Sequence, residues 1–66
     1  MITWYIHYKT GEVAGLLAVS TLQLAIKNAC ELLDQGTEVS QIESSGGLRG
    51  MNADEIMLAY AERKAK

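Results

Sequence analysis

The residue types that most often carry catalysis occur singly in this 66-residue chain, which has one cysteine, Cys30, and one histidine, His7. A reactive thiol needs a pKa lowered by a nearby cation or a helix N-terminus. Cys30 instead lies in the middle of a predicted helix and is followed by Glu31. A Cys–His pair would also need both side chains on one side of the sheet, and the strand pattern places them on opposite sides. We therefore expect Cys30 to be a small, half-buried hydrophobic residue on the flank of that helix.

A glycine-rich segment at residues 46–50 (Gly-Gly-Leu-Arg-Gly) precedes the last predicted helix. The free N–H groups of a helix N-terminus favour anions. However, the segment matches neither G-x-G-x-x-G nor the lysine-containing P-loop, and Asp54 and Glu55 would occupy the place of a phosphate. The other carboxylates, such as Asp34 and Glu43, lack the spacing typical of metal or acid–base sites. We expect a turn here, and we expect no enzyme activity, metal or cofactor.

Composition indicates one small folded domain over residues 1–66. Hydrophobic residues make up 48% and charged residues 21%, which is typical of globular proteins. Six basic against eight acidic residues give a net charge of −2, without the basic excess usual in nucleic-acid binders. A lone cysteine fits a reducing compartment. The N-terminus lacks signal-peptide features, and the apolar run Val13–Val19 is too short to span a membrane. The chain is expected in the cytoplasm, away from membranes.

The N-terminal third predicts a β-hairpin. Met1–Lys9 alternates in the manner of a strand, Thr10-Gly11 can form a two-residue turn, and Glu12–Val19 can return. In that register the facing pairs are Lys9 with Glu12, Tyr8 with Val13, Ile6 with Gly15, Trp4 with Leu17, and Ile2 with Val19. The core side then carries Ile2, Trp4, Ile6 and Tyr8, and the other side carries Thr3, Tyr5, His7, Ala14, Leu16 and Ala18. A three-residue loop with a bulge would shift this register.

Ser20–Gln35 is predicted to be a helix. Ser20 and Gln23 match the capping box, and Val19 and Leu24 match the accompanying hydrophobic staple. Gly36 is the expected C-terminal stop. The apolar residues that follow at helical spacing form the predicted buried stripe: Leu22, Ala25, Ile26, Ala29 and Leu33.

The last third predicts a strand and a helix. In the strand Thr37–Ser44, Val39 and Ile42 are three residues apart, so either a bulge turns both inward or one faces outward. After a turn at 45–47, residues 48–50 can add a short fourth strand. The helix Ala53–Ala65 has Asn52 as its N-cap, Glu55 as the capping-box partner, and Met51 with Ile56 as its staple. Its predicted inner face is Ile56, Ala59, Tyr60 and Arg63, with the stem of Arg63 lying over the rim of the core.

These elements predict an α+β fold in the order β-β-α-β-α. We expect a mainly antiparallel three-stranded sheet of order 2-1-3, with both helices on one face.

The segments that carry a resemblance are the aromatic first strand, the capped helix with residues 25–36, the stretch 39–47, and Asp54-Glu55-Ile56. In these the chain resembles small bacterial proteins of unknown function, and the resemblance implies a fold without implying an activity.

The sheet face that the helices leave uncovered is the remaining candidate site. Exposed Tyr and Leu on an open sheet favour a protein interface, so we expect a non-enzymatic module that forms a homo-oligomer or binds a protein partner. The predicted interaction residues are Tyr5, His7 and Leu16 on the sheet and Leu24 on the first helix.

Two other functions stay open at this point. A single-stranded nucleic-acid binder would stack bases on Tyr5 and His7 and hold phosphates with Lys9 and Arg49. A small-molecule binder would need a sheet–helix crevice, and a chain of this size rarely encloses a pocket of ~300 Å³.

Overall fold

A computed structural model describes residues 2–65 and gives the element order β-β-α-β-β-α. The elements are β1 (Trp4–Thr10), β2 (Val13–Val19), α1 (Leu22–Asp34), β3 (Glu38–Ser44), β4 (Met51–Asn52) and α2 (Ala53–Lys64). The strands form one antiparallel sheet of order β2-β1-β3-β4. The α+β class and the 2-1-3 order are confirmed. The short fourth strand lies at 51–52, not at 48–50, and Met1, where the first strand was expected to begin, lies outside the described residues.

The hairpin turns one residue later than the sequence predicts, through Gly11-Glu12. Gly11 has φ 62°, and none of the described non-glycine residues has a positive φ, which is the pattern of a type II′ turn. The predicted register is therefore wrong by two residues. The observed pairs include Thr10 with Val13, Lys9 with Ala14, Tyr8 with Gly15, Ile6 with Leu17, and Trp4 with Val19. A slip of two residues keeps every side chain on its predicted face, because side chains alternate with a period of two.

A β-bulge at Ser40 settles the spacing of the third strand. His7 faces Gln41 and Tyr8 faces Val39, so Ser40 is the extra residue on β3. Val39 and Ile42 are then both buried, which confirms the bulge alternative and removes Ile42 from the uncovered face. The Ser40 hydroxyl donates to the carbonyl oxygen of His7 at 3.2 Å and so ties the bulge to β1.

Both helices cover the same side of the sheet, and the core lies between the two layers. Its buried hydrophobic residues are Trp4, Ile6, Ala25, Ala29, Cys30, Val39, Ile42 and Ile56. Cys30 is thus a core residue, more buried than the flank position predicted for it. Ile2, predicted to face the core, is exposed. Arg63, whose stem was expected to lie over the core rim, is exposed as well. Ile2 precedes β1 and lies beside Gly46, at the margin of the sheet.

Helix α1 begins one residue later than its sequence signal. The hydroxyl of Thr21, not that of Ser20, accepts the N–H of Leu24 at 3.1 Å. Because Leu24 then occupies the third helical position, no side chain there can return the second bond of a capping box. The predicted box with Gln23 and the staple from Val19 to Leu24 are therefore wrong.

The C-terminus of α1 and the N-terminus of α2 agree with prediction. Gly36 has φ 86°, and the N–H groups of Gly36 and Thr37 donate to the carbonyls of Leu33 and Leu32 at 3.0 and 2.9 Å. These two bonds are the Schellman motif that glycine favours at a helix end. At α2, Asn52 and Glu55 form the predicted capping box, with bonds of 2.9 and 3.2 Å.

Candidate protein-interaction surface

The side of the sheet opposite the helices carries three cross-strand rows, which together we call the open face. The rows are Ala18–Tyr5–Glu43, Leu16–His7–Gln41 and Ala14–Lys9–Glu38, each written in the order β2, β1, β3. The predicted residues Tyr5, His7 and Leu16 therefore lie together. His7 faces Leu16 directly, and Tyr5 is the diagonal neighbour of Leu16, within reach of an aromatic side chain.

The open face is divided by chemistry. Its β2 side is apolar, and Leu16 there is 55% exposed. Its β3 side is polar, with two carboxylates and the amide of Gln41. Tyr5 lies on β1 between the two halves and is half-buried. Such a mixture of exposed apolar area with an adjoining polar margin is typical of protein interfaces.

His7 is oriented by a carboxylate of the neighbouring strand. Its Nε2 lies 2.6 Å from Oε1 of Glu43, with side-chain exposures of 33% and 52%. Glu43 faces Tyr5 across the strands, so its contact with His7 is diagonal. The contact fixes the direction of the imidazole ring and gives the polar half of the open face a defined shape.

Leu24, the fourth predicted interaction residue, does not belong to this surface. It lies on α1, in the helical layer, and is 41% exposed. Its backbone N–H contributes to the helix cap, and its carbonyl accepts a bond from the side chain of Asn28 at 2.8 Å. The structure thus separates Leu24 from the other three residues by the thickness of the protein.

A cleft lies where the sheet meets the helices, the kind of crevice that the small-molecule alternative would need. Its volume is about 520 Å³, larger than expected for so short a chain. Its lining combines Tyr8, Leu33, Val39 and Met57 from the core side with His7, Lys9 and Glu38 from the rows of the open face. The Tyr8 ring lies over Gly15, its partner on β2, because that glycine has no side chain to fill the space. Met57 lies one helical turn after Ala53 and is 49% exposed. The spacing of these two apolar residues is the sequence signal that could have indicated this cleft.

The other candidate residues are engaged in structural contacts. Burial raises the pKa of the Cys30 thiol, which favours the unreactive protonated form.

In the glycine-rich segment, Nη2 of Arg49 lies 2.9 Å from Oε2 of Glu55. The backbone N–H of Asn52, together with Arg49, lowers the pKa of Glu55, so a negative charge occupies the N-terminus of α2. Arg49 is consequently held next to β4 and is not grouped with Tyr5, His7 and Lys9.

A polar cluster joins the C-terminal ends of the two helices. Oδ1 of Asp34 on α1 accepts the hydroxyl of Tyr60 and the ammonium of Lys64, both at 2.7 Å and both from α2. The bonds from Lys64 and Tyr60 lower the pKa of Asp34, and the same carboxylate raises the pKa of Lys64 and of Tyr60. The cluster has a structural role, because all three groups satisfy one another.

Comparison with known proteins found no matching family model, curated protein or solved structure. The resemblance to small bacterial proteins therefore stays a prediction. Neither of the helices within residues 2–65 has the length and apolar character needed to cross a membrane. Across the same residues, no three His, Cys, Asp or Glu side chains converge as metal ligands.

Proposed function

We propose that this chain is a non-enzymatic protein-interaction module that self-associates or docks on a protein partner through its open face. The observation that carries the proposal is the exposure of Leu16 beside Tyr5 and His7 on a sheet face that neither helix covers. Tyrosine offers a large contact area with few rotatable bonds, so little side-chain entropy is lost when it is buried against a partner.

The polar half of the open face supports selectivity. Lys9 faces Glu38 across the strands, and the carboxylate of Glu43 is held by its contact with His7, so both signs of charge occur on this half. A partner has to match these charges, since unmatched charges cost free energy when they are desolvated at an interface. The reduced thiol of Cys30 supports the expectation that the module acts in a reducing compartment such as the cytoplasm.

Photo-crosslinking tests this proposal. A photoreactive phenylalanine analogue replaces Tyr5 in one preparation and Leu24 in a matched control, and both are irradiated in cells and as purified protein. We expect protein adducts from position 5, strongly reduced when Leu16→Ser is added, and none from position 24. Adducts from position 24 alone, or from neither position, would contradict an interface on the open face.

A single-stranded nucleic-acid binder is the second candidate, favoured by the alignment of Tyr5, His7 and Lys9 on one strand face. Glu38 and Glu43 flank these residues and would repel a phosphate backbone. Retention on immobilised polyuridine at low salt distinguishes the two functions, because phosphate binding is steeply salt-dependent. Salt-sensitive retention that Lys9→Ser abolishes would replace the protein-interaction function with this one.

A further inference from the structure

Strand β2 forms one edge of the sheet, with β1 on its inner side. In a two-residue hairpin the residues that flank the turn form a hydrogen-bonded pair. Along the ladder, hydrogen-bonded pairs then alternate with non-hydrogen-bonded pairs, whose backbone groups point away from the partner strand. Val13, Gly15, Leu17 and Val19 therefore direct their backbone groups toward β1. Ala14, Leu16 and Ala18 direct theirs outward, and within residues 2–65 no strand pairs with that outer side.

This edge lacks the features that normally prevent strand addition. Proteins protect edge strands with charges, prolines, bulges or very short strands. β2 has seven residues, Val-Ala-Gly-Leu-Leu-Ala-Val, without a charge or a proline, and it pairs regularly with β1 along its whole length. The opposite edge of the sheet is protected, because β4 has only two residues and continues directly into α2.

The sequence of β2 is complementary to itself in antiparallel orientation. With Leu16 opposite Leu16 of a second copy, Ala14 faces Ala18 and Val13 faces Val19, so equal side chains meet. The outward-directed backbone groups of Ala14, Leu16 and Ala18 are then in register, and three hydrogen-bonded pairs provide about six bonds. Gly15 faces Leu17 on the helical side, where the small residue leaves room for the large one. No like charges are brought together.

We propose that β2 pairs with β2 of a second copy of this chain, about a two-fold axis at Leu16. The product is a continuous eight-stranded antiparallel sheet with all four helices on one side. Since β4 is too short to accept a strand, the pairing closes at a dimer and does not propagate into a filament. This inference goes beyond the proposed function, because it assigns self-association to the edge of the sheet and leaves the open face free for a protein partner.

Two consequences follow from this geometry. The open faces of the two copies join across Leu16 into one surface of twice the width, on which the two Tyr5 side chains flank an apolar centre. The contact itself consists of one seven-residue strand from each copy, which places it among the smaller interfaces, so association is expected to be weak and concentration-dependent.

Two double variants with opposite charge patterns test the pairing and its register. Both contain Ala14→Glu, whose carboxylate also faces Lys9 within its own hairpin. The first adds Ala18→Glu, which sets carboxylates opposite each other twice in the dimer, and the second adds Ala18→Lys, which sets opposite charges there. Sedimentation equilibrium from about 10 µM to about 1 mM measures the dissociation constant of each variant and of wild type. Thermal melting of both variants checks that the fold is kept.

We expect the wild type to dimerise and the Ala14→Glu/Ala18→Glu variant to dissociate at least about tenfold more readily than Ala14→Glu/Ala18→Lys. The difference should shrink at high salt. A wild type that stays monomeric at about 1 mM overturns the proposal. Equal masses for the two variants overturn it as well. If both variants are monomeric, the copies pack through the open face, and if both are dimeric, they associate through another surface. Crosslinking from position 5 is read separately, so its failure leaves this comparison intact.

Discussion

Replacing Trp4 with alanine tests the assignment of the two sheet faces most directly. Trp4 is 8% exposed and packs in the core with Ile6 and the residues of α1. Truncating a buried tryptophan costs about 3–5 kcal/mol, through lost burial and the cavity left behind. At ~0.05–0.15 kcal/mol per residue, the whole chain has a free energy of unfolding of roughly 3–10 kcal/mol. Trp4→Ala should therefore remove about 30% or more of that stability and can unfold the protein outright.

The neighbouring residue Tyr5 supplies the control, because it lies on the same strand and points to the open face. Tyr5→Ala should cost about 1 kcal/mol or less, since it removes cross-strand contacts without opening a core cavity. Ile6→Val, at a fully buried position, should cost ~0.5–1.5 kcal/mol and provides a core variant that stays folded.

Urea denaturation followed by far-UV circular dichroism measures all of these variants, because Trp4 is the only tryptophan and its fluorescence is lost with it. The midpoints give the changes in free energy provided that the slope with urea is unchanged. If Tyr5→Ala destabilises the chain as much as Trp4→Ala does, the assignment of Trp4 to the core side and of Tyr5 to the open face is wrong.

Three further predictions concern single contacts. Thr21→Ala should lower the free energy of unfolding by about 1 kcal/mol, and Ser20→Ala by less than about 0.5 kcal/mol, in urea denaturation; equal losses would contradict the cap at Thr21. Because the pKa of Asp34 is lowered from its ordinary value of 3.8, its stabilising contribution is present above that value and is lost as the pH falls through the lower folded pKa. The melting temperatures of wild type and Asp34→Asn should therefore differ at neutral pH and converge once the pH falls below the folded pKa of Asp34, and a difference that stays constant with pH would exclude a role for the charge. Gly50→Ala would place its Cβ 1.9 Å from the carbonyl oxygen of Ile42, so a loss of about 2–3 kcal/mol or more is expected, and wild-type thermal melting would contradict that close approach.

The sequence alone determined which side chains face the core and which face outward on β1 and β2. Alternation with a period of two assigns Trp4 and Ile6 to one side and Tyr5 and His7 to the other. The assignment does not depend on the register, so it holds even though the turn is Gly11-Glu12 and not Thr10-Gly11. The capping box of α2 and the end of α1 at Gly36 were also predictable, because each depends on residues within one helical turn of each other.

Contacts between segments distant in the chain were decided only by the tertiary structure. The type II′ turn sets the pairing of Thr10 with Val13, and the bulge at Ser40 reconciles the spacing of β3 with burial. The contact of His7 with Glu43 joins residues 36 positions apart, which no local pattern can specify. The same holds for the sheet order, which leaves β2 at the edge while β4 ends the other side. Local propensity fixes the faces of each element, but the free energy of packing the whole chain selects which elements become neighbours.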